Sequence, residues 1–173
     1  MTAAELHRVV DVPVDRVWGV LTDFAGYGRW IPLTSMVVDP PPVRPGWGFG
    51  GFTGLGRVGF LDSMLVTVWQ PPVTAGKPLA PSPGRFRVVK TGRVLRGWAD
   101  VTVRALPQAE AGRPRAGTTE VIWREQIVPR PEPVGRLLAP VSDRVTARLF
   151  AMALDRMLAA AAEGAPPAPP PPA

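Results

Sequence analysis

Apolar and polar residues alternate in a way that predicts one strand, two short helices and a second strand within the first 39 residues. Residues 4–12 (AELHRVVDV) are rich in β-branched residues and stop at Pro13, as a strand does. In PVDRVWGVLTDF, apolar residues recur at intervals of three and four, which predicts an amphipathic helix with Asp15 near its positive end. A short helix over residues 26–31 and a strand over residues 35–39 follow.

The rest of the chain predicts five more strands and one long helix. The strand-like runs are residues 47–53, 62–70, 84–91, 94–105 and 118–128, each bounded by proline or glycine turn signals. Glycines inside these runs indicate bends and bulges. Residues 134–163 predict a helix that is broken near Pro140. We therefore expect an α+β fold in which a curved antiparallel sheet of about seven strands wraps a long C-terminal helix.

The last helix carries two apolar stripes separated by polar residues. Four residues form the first stripe: Val141, Val145, Leu149 and Met152. Four more form the second: Phe150, Leu154, Met157 and Leu158. One interpretation buries both stripes, one against the sheet and the other against a loop, a helix or a partner subunit. The other interpretation is a single broad core face completed by alanine.

Length and composition bound the organisation of the chain. Its 173 residues, 46% of them hydrophobic, fit a single domain, which we assign to residues 1–163. Residues 164–173 are dominated by proline and predict a disordered tail, either simply solvated or a ligand for an aromatic groove. No apolar run reaches the roughly 18 residues of a membrane span, so we expect a cytoplasmic protein without integral membrane association.

Charge and cysteine content exclude several functions. The net charge of +6 comes almost entirely from scattered arginines, since Lys77 and Lys90 are the only lysines. Nucleic-acid binding favours clustered basic residues and is not expected. The chain has no cysteine, and its only histidine is His7, so we expect no metal site. The glycine motifs within residues 46–59 lie between strands, not between a strand and a helix, and we expect no nucleotide or other cofactor.

Glu125 is the main candidate for chemistry. It follows Trp123 by two residues, so both side chains lie on one face of the same predicted strand. In an apolar pocket the pKa of this carboxyl would rise, which suits proton transfer or a hydrogen bond to a ligand. The alternative is a simple ion pair with one of the many arginines. Asp62 and Asp100 are weaker candidates of the same kind.

Three stretches carry a resemblance to a known superfamily. They are VVDVPVDRVWGVLTDFAGYGRWIP, the strand MLVTVWQPP, and the hairpin GRVLRGW that leads to TEVIWREQI and the last helix. Over about residues 4–160 the chain resembles the SRPBCC superfamily, the START and birch-pollen-allergen-like group that includes polyketide cyclase/dehydratase and lipid-transport proteins. The resemblance implies a helix-grip fold. It does not imply one function, because the superfamily has no common catalytic motif.

Three functions follow as hypotheses. The first is binding of a small hydrophobic molecule, such as a lipid, an isoprenoid or a polyketide, by a carrier or sensor. The second is a cyclase/dehydratase-like enzyme that uses Glu125 with Arg124 or Asp100 for proton transfer. The third is an interaction module that uses the last helix or the proline tail, with a homodimer as one form.

The residues expected at the ligand cavity come from every part of the fold. They are Trp30 and Phe49 near its mouth, Met64, Val66, Val101 and Val103 on the sheet, Trp123 and Glu125 on the last strand, and Val145, Leu149 and Met152 on the helix. The chain lacks the cysteines of an iron–sulfur branch of the superfamily, and Tyr27 is its only tyrosine, whereas aromatic cyclases of the group often have several in the pocket.

Overall fold

A computed structural model describes residues 3–56, 58–74, 82–106, 117–130 and 132–164. For residues 132–146 only the helical backbone is described. The elements follow in chain order: β1 Ala4–Val10, α1 Val14–Leu21, a 3₁₀ helix Phe24–Arg29, β2 Thr34–Val38, β3 Gly48–Leu55, β4 Val58–Gln70, β5 Gly84–Lys90, β6 Leu95–Leu106, β7 Thr118–Pro129 and α2 Glu132–Glu163. The predicted proline-rich tail lies outside the described residues.

The seven strands form one antiparallel sheet in the order β1-β7-β6-β5-β4-β3-β2. Successive strands from β2 to β7 are neighbours, and β1 adds to the far side of β7. The pairing of β4 with β5 shifts between Val66 and Val68, which marks an irregularity of the β-bulge type in the longest strand of the sheet. A curved seven-stranded sheet with a C-terminal helix is the helix-grip α+β fold, so the prediction of the fold is confirmed.

The segment after β1 folds as its apolar spacing predicts. Val17 and Leu21 lie one helical turn apart and are fully buried on the inner face of α1. The Asp23 side chain accepts a hydrogen bond from the backbone N–H of Gly26 and caps the 3₁₀ helix. In the folded chain α1 packs against β6 and β7, and the 3₁₀ helix packs against β2.

An aromatic cluster fills the end of the fold that α1 covers. Phe24 stacks on Phe49 with ring centroids 4.4 Å apart and meets the edge of Phe86 at 5.5 Å. Trp47 and Trp69 lie on the other sides of Phe24, at 5.6 and 6.3 Å. Each such side chain contributes about 2–3 kcal/mol on burial, so this end forms much of the hydrophobic core.

The structure decides which apolar stripe of α2 faces the sheet. Leu154 and Met157 are buried, whereas Leu149 and Met152 are 46% and 47% exposed. Small alanines continue the buried stripe towards the C-terminus and let α2 approach α1 and the sheet closely. The helical backbone runs through Pro140 without the predicted break, since an interior proline removes one hydrogen bond and bends a helix without necessarily ending it.

Candidate functional site

A cavity of about 410 Å³ lies between the inner face of the sheet and α2, at the end away from the aromatic cluster. Apolar side chains make up most of its wall, including Leu6 of β1, Met36 of β2, Met64 of β4 and Phe150 of α2. A smaller chamber of about 80 Å³ continues it towards Phe24. Both are bounded by the same polar group of side chains, so they form one site.

Three charged residues, Asp62, Lys90 and Glu125, form a polar cluster on the cavity wall. The Lys90 ammonium donates to Asp62 Oδ2 at 2.6 Å and lies 3.5 Å from Glu125 Oε1. The side chain of Lys90 is only 4% exposed, and those of Asp62 and Glu125 are 14% and 9% exposed. Trp123 Nε1 donates to Glu125 Oε2 at 3.3 Å. This is an ion pair with a second carboxyl attached, almost entirely removed from water.

Lys90 and Glu125 lie on strands β5 and β7, which are separated by β6, and β6 has small residues between them on the cavity face. Lys90 ends β5 opposite Gly97 of β6, and Glu125 of β7 lies opposite Ala99 of β6. Because β6 lies between β5 and β7, small residues at both positions let the Lys90 amine reach across towards Glu125. Gly97 has φ of +133°, a conformation that side-chain-bearing residues rarely adopt.

Burial dominates the electrostatics of Glu125. Removal from water raises the pKa of its carboxyl, an effect that the nearby Lys90 charge and the hydrogen bond from Trp123 partly oppose. The same surroundings raise the pKa of the Tyr27 hydroxyl, chiefly through burial and also through the charge of Glu125. Tyr27 donates to the carbonyl oxygen of Leu21 at 2.6 Å. The surroundings therefore favour the uncharged forms of Glu125 and Tyr27 more than water does.

The predicted cavity residues are distributed unevenly. Met64, Trp123 and Glu125 line the main cavity, and Phe49 lines the smaller chamber. Trp30 packs against the core and is not part of either wall, and its buried Nε1 has no hydrogen-bond partner among the described residues.

Three predicted wall residues of the sheet lie in the solid core instead. Val66 is 1% exposed, and Val101 and Val103 are fully buried. They are on the inner face, as predicted, but at the end of the sheet that the aromatic cluster and α1 fill. Strand alternation predicts the face of a residue and not its position along the cavity axis.

The helix residues predicted for the cavity need correction. Leu149 and Met152 lie on the outer side of α2, while Phe150 and Ala147 of the same helix line the cavity. The two stripes are about equally apolar, so hydrophobicity alone did not identify the inner one. The side chain of Val145 lies outside the described residues.

The proposed partners of Glu125 also need correction. Asp100 points to the outer face of the sheet, where Arg85 donates to both of its carboxylate oxygens at 3.0 and 2.7 Å. Arg124 is exposed and pairs with Glu5 of β1. Arg124 directly precedes Glu125 on β7, and Asp100 lies opposite Arg124 on β6. Successive strand residues point to opposite faces, so both side chains lie on the face of the sheet away from the cavity. The partner of Glu125 is a lysine, not an arginine.

Sequence reasoning missed Lys90, although the sequence holds a signal for it. In RFRVVK, Phe86, Val88 and Lys90 alternate on one face, and the first two are buried. A lysine that continues an inward-facing apolar stripe has to reach a buried acid or remain unpaired. Asp62, noted as a weak candidate, supplies that acid.

Two absences hold for the part of the chain that the structure describes. No helix there is long and apolar enough to cross a membrane. The same residues contain no group of three or more potential metal ligands.

Solved structures of other proteins share this fold. A protein of Thermus thermophilus superposes with a TM-score of 0.65 and 14% identity, over 95% of this chain and 100% of its own. The ZhuI aromatase/cyclase from Streptomyces sp. R1128 gives a TM-score of 0.58 at 17% identity, over 94% of each chain. The di-domain ARO/CYC protein BexL of the BE-7585A biosynthetic pathway gives 0.51 at 16% identity, over 90% of this chain and 46% of its own.

No family model and no curated protein matches the sequence. The structural likenesses place the chain in the helix-grip class of α+β proteins. They confirm the helix-grip fold that the resemblance implies.

Proposed function

We propose that this chain binds a small, predominantly apolar molecule between the sheet and α2, as a carrier or sensor. The observation that carries the proposal is the cavity of about 410 Å³ with a mostly apolar wall and the buried cluster of Asp62, Lys90 and Glu125. Ligand sites in proteins are commonly cavities of about 300–1,000 Å³ with apolar walls and a few polar groups that orient the ligand. The fold likeness to aromatase/cyclases supports a ligand site of this type.

A matched pair of helix variants tests the proposal. Ala147 lines the cavity, so Ala147→Phe fills part of it, whereas Leu149→Phe adds a ring to the outer side of the same helix. Native mass spectrometry of the purified protein identifies any molecule that copurifies, and thermal unfolding with a panel of lipids, isoprenoids and aromatic polyketides measures stabilisation by added ligand. We expect binding to the wild type and to Leu149→Phe, and loss in Ala147→Phe. Equal binding to all three proteins would move the ligand to another site, and no binding to any would remove the proposal.

An enzyme of the cyclase/dehydratase type is the second candidate. It is favoured by a buried carboxyl, Glu125, which faces the cavity and whose pKa is raised by burial, next to the ammonium of Lys90. A protonated carboxyl can give its proton to a ligand oxygen, and the neighbouring ammonium stabilises the negative charge that develops there. Turnover of a cavity ligand that falls at least tenfold in Glu125→Gln, with binding retained, would favour the enzyme over the carrier.

A further inference from the structure

The polar cluster has one cation and two acids. The charge of Lys90 is matched by Asp62 at 2.6 Å, and Glu125 lies 3.5 Å from the same nitrogen. Asp62 Oδ1 is buried and has no hydrogen-bond partner among the described residues. The unsatisfied atom of the cluster is therefore an acceptor, Asp62 Oδ1, which lacks a hydrogen-bond donor.

The wall offers no second cation to an acidic ligand. Lys90 is the only basic side chain among the described residues that line the cavity. A carboxylate brought into this apolar space would lose its hydration and meet an ammonium that already has an acid on it. The ligand carboxylate would add a second negative charge, beside that of Asp62, to a single ammonium, which is electrostatically unfavourable whatever apolar chain carries it.

From this arrangement we propose that the cavity selects apolar molecules whose polar end is a neutral hydroxyl group, and that it excludes carboxylates. The inference rests on the proposed ligand binding. The ligand hydroxyl donates to Asp62, whose carboxylate turns easily about its last side-chain torsion to present the unused oxygen. The hydroxyl oxygen in turn accepts a hydrogen bond from the ammonium of Lys90 or from the carboxyl of Glu125.

The state of Glu125 supports this selection. Burial raises the pKa of its carboxyl, which favours the protonated form. When Glu125 is protonated, the charges of Lys90 and Asp62 balance each other, and the cluster has no net charge to attract an ion. A neutral ligand that both donates and accepts hydrogen bonds completes the cluster without adding charge.

Probes with one ring system and different polar groups test the selection in the wild-type protein. Naphthalene, naphthol, naphthoate and naphthylmethylamine differ only in the group that meets the cluster, and isothermal titration calorimetry at neutral pH gives each affinity. We expect naphthol to bind at least tenfold more tightly than naphthoate, and more tightly than naphthalene or the amine. Naphthoate or the amine binding as tightly as naphthol would overturn the proposal. Equal binding of naphthalene and naphthol would overturn the selection while leaving the apolar cavity site intact, and binding of no probe would count against both.

A charge change within the cluster gives the second test. Asp62→Asn removes the acid that occupies Lys90, so naphthoate should gain at least tenfold in affinity while naphthol loses affinity. Asp100→Asn is the matched control, because Asp100 pairs with Arg85 on the outer face and should leave all four affinities unchanged. An Asp62→Asn variant that binds naphthoate no better than the wild type would contradict the proposed role of Asp62. Should this variant fail to fold, the wild-type probe series decides alone.

Discussion

Removal of the Lys90 amine is expected to destabilise the fold strongly. In Lys90→Met the chain keeps a side chain of similar length, but Asp62 and Glu125 lose the only cation near them among the described cavity residues. Breaking a buried ion pair by removing one partner typically costs about 3–5 kcal/mol, because a desolvated charge remains. Since the cluster borders a cavity, we expect the lower end of that range, about 3 kcal/mol.

Urea unfolding followed by circular dichroism measures this change in the free energy of unfolding. The double variant Lys90→Met/Asp62→Leu removes both charges of the 2.6 Å pair and should return to within about 1 kcal/mol of the wild type. Arg124→Met serves as the control, because its partner Glu5 lies with it on the exposed face, and it should change stability little. If Lys90→Met lost no more stability than Arg124→Met, the cluster would have to be hydrated in solution, and the argument from burial would fail.

Three further predictions concern stability. Because the pKa of Glu125 is raised in the folded state, the wild type should lose stability as pH rises above the usual pKa of 4.5. The free energy of unfolding of Glu125→Gln, relative to that of the wild type, should therefore increase over the same pH range. Leu154→Ala should cost about 2–5 kcal/mol, and Met152→Ala should stay within about 0.5 kcal/mol, because one side chain is buried and the other is 47% exposed. Gly97→Ala should cost at least about 2 kcal/mol, since its Cβ would lie 1.8 Å from a backbone oxygen, whereas Gly19→Ala in α1 should gain up to about 1 kcal/mol.

Urea unfolding measures all three, with the first repeated across a pH series. If the free energies of unfolding of Glu125→Gln and the wild type differed by the same amount at every pH, the pKa of the Glu125 carboxyl would not be raised in the folded state. Similar losses of stability in Leu154→Ala and Met152→Ala would contradict the assignment of the Leu154 side of α2 as the buried side. A Gly97→Ala variant as stable as Gly19→Ala would contradict the described geometry of β6.

The order of the elements was predictable because each has a local signal. Apolar spacing and turn residues predicted most strand ends to within about two residues, whereas β4 begins at Val58, four residues before its predicted start. The face of α2 was not predictable in this way. Leu149 and Leu154 have equal hydrophobicity, and the choice between their stripes depends on packing of distant parts of the chain that sequence spacing does not encode.

The site was only partly predictable for a related reason. Glu125 and Trp123 share a strand, so alternation alone places them on one face. Asp62 and Lys90 are separated by 28 positions in the chain and from Glu125 by still more, and only the strand order unites them. For Val101 the predicted inner face is correct, but the residue is fully buried in the core and does not line the cavity.

The aromatic cluster around Phe24 also determines which tryptophans can report ligand binding by their fluorescence. Trp47 and Trp69 are packed within it, whereas Trp123 touches its border at Phe86 and turns its other side to the cavity, with its indole N–H on Glu125. Most tryptophan emission should therefore come from rings that a ligand does not touch, with Trp123 as the reporter of occupancy. A protein in which only Trp123 is replaced by phenylalanine would keep a bright, ligand-insensitive background against which the signal of the site can be read by difference.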